Sequence, residues 1–330
     1  MTDADTLGSI GEIATLKRIF PRLPASASTL VGPGDDAAVL AAPDGRYVVT
    51  TDMMIHGPDF RLAWSTPDDL GRKAAASNLA DVAAMGAVPT ALVVAIAAPA
   101  DTPVARLEGI ADGLGAACAE LAPGCGVVGG DLSVSATLTI AVTAFGDLEG
   151  RDAVLRSGAR AGDLIAVSGR LGVAAYGLSL LFERGVDSDG NPDAAAAARL
   201  RIEESDVVEA QLAPRPPIAD GPAAALAGAT SMLDLSDGLA LDARRIATAS
   251  GVSLDLDSVE VSRGAWDARL ALDGGEDHGL LATFPPGTSL PGGFRAIGVV
   301  REGTGLLVDG RPYERAGGWD PFAGWNGGSG

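Results

Sequence analysis

Residues Tyr47–Ala97, YVVTTDMMIHGPDFRLAWSTPDDLGRKAAASNLADVAAMGAVPTALVVAIA, decide how this chain folds. The opening run Tyr47–Thr51 is aromatic and β-branched, which predicts a strand, and the closing run Ala91–Ala97 is continuously apolar like a central strand. Between them a helix announces its own start. Thr66 suits the N-cap, Pro67 the first helical position, and Asp68 and Asp69 the positive end of the helix dipole. Gly86 ends it. On this helix Lys73, Ser77 and Asp81 recur every four residues and so share one face.

Outward from that strand–helix–strand unit, Thr137–Phe145 alternates as a half-buried strand does. The turn-rich stretch Gly146–Gly162 marks a boundary between a first domain, residues 1–150, and a second, residues 151–325. Residues 326–330 read as a flexible tail. The second domain opens with a strand at Leu164–Ser168, followed by Gly169-Arg170-Leu171-Gly172 and a helix through Arg184. A strand at Met232–Leu235, a helix at Leu239–Ser250 and a strand at Ser253–Asp257 come next. Further strands are predicted at Gly279–Phe284, Arg295–Val300 and Gly305–Val308, with Asp309-Gly310 as a hairpin turn. Helices and strands mix without strict alternation, so the expected class is α+β in two domains.

Composition narrows the function. A net charge of −19 argues against nucleic acid or an anionic membrane as partner. No apolar run is long enough to span a bilayer, the first residues do not resemble a secretory signal, and the two cysteines, Cys118 and Cys125, are too few for a disulfide framework. A cytoplasmic, reduced protein is expected. Lys17 and Lys73 are the only lysines, and no G-x-x-x-x-G-K-[ST] run exists, so a Walker-type phosphate loop is excluded.

The acids carry the chemical signal. They stand beside glycines or hydroxyls at Gly34-Asp35-Asp36, Thr50-Thr51-Asp52, Gly129-Gly130-Asp131, Asp234-Leu235-Ser236-Asp237-Gly238 and Gly274-Gly275-Glu276-Asp277. A further acid, Asp81, lies in an alanine-rich helix whose small neighbours promise close packing rather than a solvated face. Singly, each station also reads as a turn, a strand-end acid or a spacer. Together they describe carboxylates gathered without basic partners, which repel unless cations accompany them. Hard oxygen ligands of this kind suit Mg²⁺ bridging to phosphates, and neighbouring glycines let backbone N–H groups approach a polyphosphate. Asp131 is expected just beyond a strand, Asp52 at the end of one, and Gly238 at a helix N-terminus open to phosphate. Gly169-x-x-Gly172 reads equally as a phosphate loop or as helix packing. With only His56 and His278 available, neither a zinc site nor a nucleophilic triad emerges.

In this order, GPGDDAAV, TTDMMIHGPDF, NLADVAAMGA, VVGGDLS, LRSGARAGD, MLDLSDGLALD, GGEDHGL and GGWDPF resemble the thiamine-monophosphate kinases, within the superfamily of aminoimidazole-ribonucleotide and selenophosphate synthetases. The resemblance runs from about Gly8 to Phe322. It implies ATP-dependent phosphorylation of thiamine monophosphate, several Mg²⁺ ions, a two-domain α+β fold and a homodimer formed through the N-terminal domains. It implies metal ligands at Asp36, Thr50, Thr51, Asp52, Asp81, Asp131, Asp234 and Asp237. Nucleotide contacts would fall on Gly130, Asp131, Arg156 and Ser236, and substrate contacts on Asp59, Glu276 and Trp319. One position departs from the family pattern: a histidine usually precedes the Phe of the V-x-G-x-H-F-like segment, where this chain has Asp59, with His56 three residues earlier. Selenophosphate synthetases carry a reactive Cys or selenocysteine near the N-terminus, whereas this chain has no Cys before Cys118.

Overall fold

The computed structural model describes residues 5–32, 37–315 and 317. Two sheets organise the chain. The first has four strands in the order Val48–Ile55, Thr139–Asp147, Val88–Ala98, Gly126–Val134. The last two run parallel, because helix Val104–Leu121 carries the chain back between them; the other pairs are antiparallel. The second sheet has seven strands in the order Arg311–Pro312, Gly305–Val308, Ser253–Leu256, Arg295–Arg301, Leu164–Ser168, Gly279–Phe284, Ser231–Leu235. All its pairs are antiparallel except Gly305–Val308 with Ser253–Leu256. The mixture of local hairpins and crossovers gives the α+β class expected from the element order.

Helix Pro67–Ala84 starts where its signals predict. The Thr66 hydroxyl accepts from Asp69 N, and Asp69 in turn accepts from Thr66 N. Together with helix Val104–Leu121 it covers one face of the four-stranded sheet, burying Leu70, Leu79, Leu107, Ile110, Ile140 and Val142. The two helices approach closely at Gly71 and Gly113: a Cβ on either would stand 2.1 Å from a carbonyl of the opposite helix. The opposite face of this sheet exposes Val49 at 58 %, Met53 at 59 % and Ile55 at 37 %, a patch of apolar side chains open to solvent.

Two strands run further than expected. Asp52 lies inside Val48–Ile55, not at a strand end, and Asp131 lies inside Gly126–Val134, not beyond it. The Gly129-Gly130 pair does not stop the second strand because the backbone of Val94 presses against it. A Cβ on Gly130 would fall 1.8 Å from the Val94 carbonyl oxygen, so glycine is what lets the strand continue. Among the described residues no helix is long and apolar enough to cross a membrane. Cys118 and Cys125 are both free and buried.

Candidate active site

Three acids converge where helix Pro67–Ala84 passes between its own sheet and the edge of the seven-stranded one. Asp52 comes from strand Val48–Ile55, Asp81 from the helix, and Asp234 from strand Ser231–Leu235. The Thr50 hydroxyl donates to Asp81 Oδ2 at 2.9 Å, and Asp52 N donates to Asn78 Oδ1 at 3.1 Å, which fixes strand against helix. Burial, then the charges of Asp234 and Asp52, push the Asp81 carboxyl up to about 7. Asp52 is open at its tip but crowded by protein; that crowding and the charge of Asp234 raise it as well. Among the described residues no lysine or arginine forms an ion pair with any of the three. His278 faces Asp234, its Nδ1 3.8 Å from Asp234 Oδ2 and, among the described residues, without a hydrogen bond. Burial opposes charge on His278, yet Asp234 and Glu276 hold its imidazole above the ordinary range.

Oxygen donors that raise one another's pKa in this way form a set that a hard divalent cation fits. The set is not closed: among the described residues no three Asp, Glu, His or Cys side chains meet on a common point as metal ligands would. Asp36 lies outside the described residues, as does Trp319.

The remaining acids are deployed differently. Asp237 is held by Arg245 at 2.5 Å, and the same guanidinium pairs with Asp242 at 2.5 Å. Asp242 is fully buried and accepts from Asp237 N and Gly238 N, so the helix start expected to be open to phosphate is already partly satisfied from within. Burial and the charge of Asp234 push Asp242 up to about 7, against the pull of Arg245. Its signal in the sequence was its spacing, four residues after Gly238 on the first turn of a helix.

Gly169-x-x-Gly172 resolves the same way, as packing rather than phosphate binding. The Asp277 carboxylate accepts from Gly172 N at 2.5 Å and from Val173 N and Ala174 N at 3.0 Å, occupying the start of helix Val173–Arg184. Burial pushes Asp277 up to about 6 despite these donors. Asp277→Ala is therefore expected to lower stability by about 1–2 kcal/mol, the upper range for a lost cap, measured as a shift in denaturant midpoint.

Asp131 is not brought to the cleft by its own chain. Its backbone row runs Asp131–Ala95–Ala141–Met53, so it points to the same side as Met53, away from Asp52. It lies three strand spacings off, about 14 Å. Its exposed carboxylate accepts from the Ser133 hydroxyl at 2.7 Å. Thr51 lies on that same side, its hydroxyl donating to the Val142 carbonyl and accepting from Thr143. Exposed Arg156 flanks the beginning of strand Ser231–Leu235, since Leu155 O accepts from Met232 N, while Asp234 and Ser236 stand at its other end. Ser236 meets the Gly274–Glu276 loop, where Glu276 N donates to Ser236 O at 2.7 Å.

Beside the acids opens a cavity of about 430 Å³ lined from both halves of the chain. Phe60, Trp64, Leu178, Leu181, Phe182 and Leu212 line it, with Trp64 and Phe182 edge to face at 5.0 Å between ring centres. Arg61 sits 4.9 Å from the ring centres of both Trp64 and Phe182. Asp59 lines this cavity, its carboxylate accepting from Ile55 N at 2.6 Å and raised by burial. His56 instead lines a separate cavity with Asp101 and Arg106, so the two candidates for the family's histidine position face different spaces. Lys73 and Glu276 close the inner end of the large cavity as an ion pair, Nζ to Oε2 2.6 Å. Sequence reading missed these aromatics, because Phe60 and Trp64 lie in an irregular loop and Phe182 in a helix more than a hundred residues later, and no spacing rule joins the two segments.

The same architecture recurs in known proteins. Residues 34–148 match the family model described as AIR synthase related protein, N-terminal domain. A thiamine-monophosphate kinase of Mycobacterium tuberculosis is 43 % identical over 334 residues, covering 97 % of this chain and 94 % of the relative. The chain belongs to the thiamine-monophosphate kinase family. Among solved structures, the thiamine-monophosphate kinase of Stenotrophomonas maltophilia superposes with a TM-score of 0.78 at 31 % identity, covering 92 % of this chain and 98 % of that one. AaThiL complexed with AMPPCP and TMP gives 0.71 at 30 % identity, with 95 % and 96 % covered. Likeness to thiamine-monophosphate kinases thus extends over both sheets and the cleft between them.

Proposed function

We propose that this protein transfers the γ-phosphoryl group of ATP to the phosphate of thiamine monophosphate, forming thiamine diphosphate, with Mg²⁺ held by the converging acids. The observation that carries this reading is the adjacency of the Asp52–Asp81–Asp234 cleft to an aromatic-walled cavity of about 430 Å³, one suited to polyphosphate and the other to a flat organic cation. Asp36, Thr50 and Asp237 are assigned to the same metal cluster, and Ser236 and Arg156 to the nucleotide. Asp59 and Glu276 are assigned to thiamine monophosphate. So is Trp319, two residues beyond Gly317; a Cβ on Gly317 would lie 2.6 Å from Asp273, a residue of the cavity wall.

Two copies are proposed to pair through the open apolar face of the four-stranded sheet. Val48–Ile55 and Gly126–Val134 are the two edges of that sheet. A two-fold pairing that joins unlike edges would carry Gly130 and Asp131 of one copy to Thr51 and Asp52 of the other, placing nucleotide and metal at the subunit boundary. We assign the enzyme to the cytoplasm and divide its chain near residue 150.

Little covalent chemistry falls to the protein. A phosphate monoester has its second pKa near 6, so the acceptor oxygen is already anionic at neutral pH. The obstacle is repulsion between two polyanions, which bound Mg²⁺ would screen. The chain's own part is to hold the carboxylates, exclude water with the aromatic wall and align acceptor with donor. His278 is buried against Asp234 and lacks the freedom to act as a phosphate carrier. Transfer is therefore direct. ATP consumption should require both Mg²⁺ and thiamine monophosphate, and a chiral γ-phosphate should emerge inverted. Turnover without thiamine monophosphate, or retention of configuration, would refute the reading.

A further inference from the structure

We propose that Lys73 and Glu276 form a preset charge pair that the substrate's own opposite charges replace, the thiazolium taking Lys73's place at Glu276 and the phosphate taking Glu276's place at Lys73. Lys73 would then select phosphorylated over unphosphorylated thiamine. This rests on the substrate reading above and deepens it.

Several observations converge on the pair. Lys73 is 6 % exposed, one of only two lysines in a chain of net charge −19, and it is spent on the wall of the large cavity. Its Nζ bonds Glu276 and, more weakly at 3.3 Å, the Gln211 carbonyl oxygen. A buried ammonium needs such partners. A purely structural bridge would not need the other half of the arrangement. The Glu276 side chain keeps 34 % of its surface exposed, and its backbone sits at φ +70°, a left-handed conformation that a residue with a side chain adopts at a cost. Strain of that kind persists where the surroundings impose it, and here Glu276 N is pinned to Ser236 O. The carboxylate is thereby presented to the cavity, where a cation can reach it.

The pair also stands between the two halves of the site. Glu276 N bonds Ser236 O, two residues from Asp234 of the acid cleft, while Glu276 and Lys73 both line the cavity. A molecule bridging the two spaces must pass it. Exchange keeps charges alternating: carboxylate, thiazolium, phosphate, ammonium. Lysine suits the role because its charge is a compact point on a rotatable stem, able to turn from a carboxylate to a phosphate.

Titration calorimetry with thiamine monophosphate and with thiamine, each in the presence of Mg²⁺ and a non-hydrolysable ATP analogue, tests this. Lys73→Met should weaken thiamine monophosphate by roughly 10- to 100-fold, as expected for a lost charged contact, and leave thiamine unchanged or tighter. Glu276→Gln should weaken both, because both carry the thiazolium. Lys73→Arg should retain a preference for the phosphorylated ligand. Equal weakening of both ligands by Lys73→Met would reduce Lys73 to a prop for the cavity, and unchanged affinity for thiamine monophosphate would remove it from recognition. Either result overturns the exchange. Failure of the unaltered protein to bind thiamine monophosphate would overturn the substrate reading itself, and the exchange with it.

Discussion

Asp81→Asn should lower turnover by about 10²- to 10³-fold, the kinetic equivalent of several kcal/mol of lost metal-assisted stabilisation. The substitution keeps the side chain's shape and its contact with Thr50, and removes only the charge. Asp52→Asn should behave alike. Both should raise the Mg²⁺ concentration needed for half-maximal rate, whereas a general-base role would leave metal dependence alone. Full activity with unaltered Mg²⁺ dependence in either variant would take that residue out of the metal cluster.

The same carboxyl sets a pH signature. Asp81 is pushed up to about 7, so through the window from its ordinary pKa near 4 up to neutrality the folded protein binds a proton that the unfolded chain has released. Stability must then fall as pH rises across that window. Asp242, also up to about 7, and Asp277, up to about 6, act with the same sign. In EDTA the melting temperature should decline from pH 5 to pH 8. Mg²⁺ should restore it most at the upper end, by binding the ionised form. Asp81→Asn should flatten the slope and shrink the Mg²⁺ effect. A melting temperature in EDTA that climbs over the same range would contradict the assignment.

Arg201→Met should destabilise the fold by about 3–5 kcal/mol, the penalty for leaving one member of a buried ion pair alone. Arg201 reaches from helix Ala194–Glu203 to helix Pro67–Ala84, its two terminal nitrogens donating to the two oxygens of Asp69 at 2.7 Å. It also bonds both oxygens of Glu209. The Asp69 side chain is 2 % exposed. The melting temperature should drop by about 10 °C. Lysine should rescue poorly, lacking the planar fork, and Asp69→Asn added to Arg201→Met should recover part of the loss. A shift of a degree or less would show that the bridge contributes little.

What the sequence made legible was local. The start of helix Pro67–Ala84 was readable because Thr66, Pro67 and Asp69 act within one turn of chain. Helix Leu239–Ser250 was readable because Gly238 and Gly251 bracket it at φ +113° and +68°. What escaped depends on chain segments far apart. Gly129-Gly130 looked like a strand end because the reason it is not, the Val94 backbone, belongs to another strand. Asp131 appeared among the other acids because motif order carries no information about sheet order. Arg201 and Asp69 are separated by 132 positions, and no spacing rule joins them. The acids were legible as motifs beside glycines and hydroxyls. The expectation that they lack basic partners holds, among the described residues, for Asp52, Asp81 and Asp234, but Asp237 pairs with Arg245 of the following helix and Glu276 with Lys73, far off in the chain.

One helix, Pro67–Ala84, bears the Arg201 bridge at Asp69, the charge pair at Lys73 and the acid cleft at Asp81. Those three fall at four- and eight-residue intervals, on one side of a rod that rises 1.5 Å and turns 100° per residue. Length in this segment is therefore held as tightly as the residues that act from it. A single inserted residue after Lys73 would swing Asp81 about 100° away from Asp234 while leaving every side chain chemically intact. Relatives that keep the same chemistry should almost never vary in the number of residues between their Asp69 and Asp81 positions.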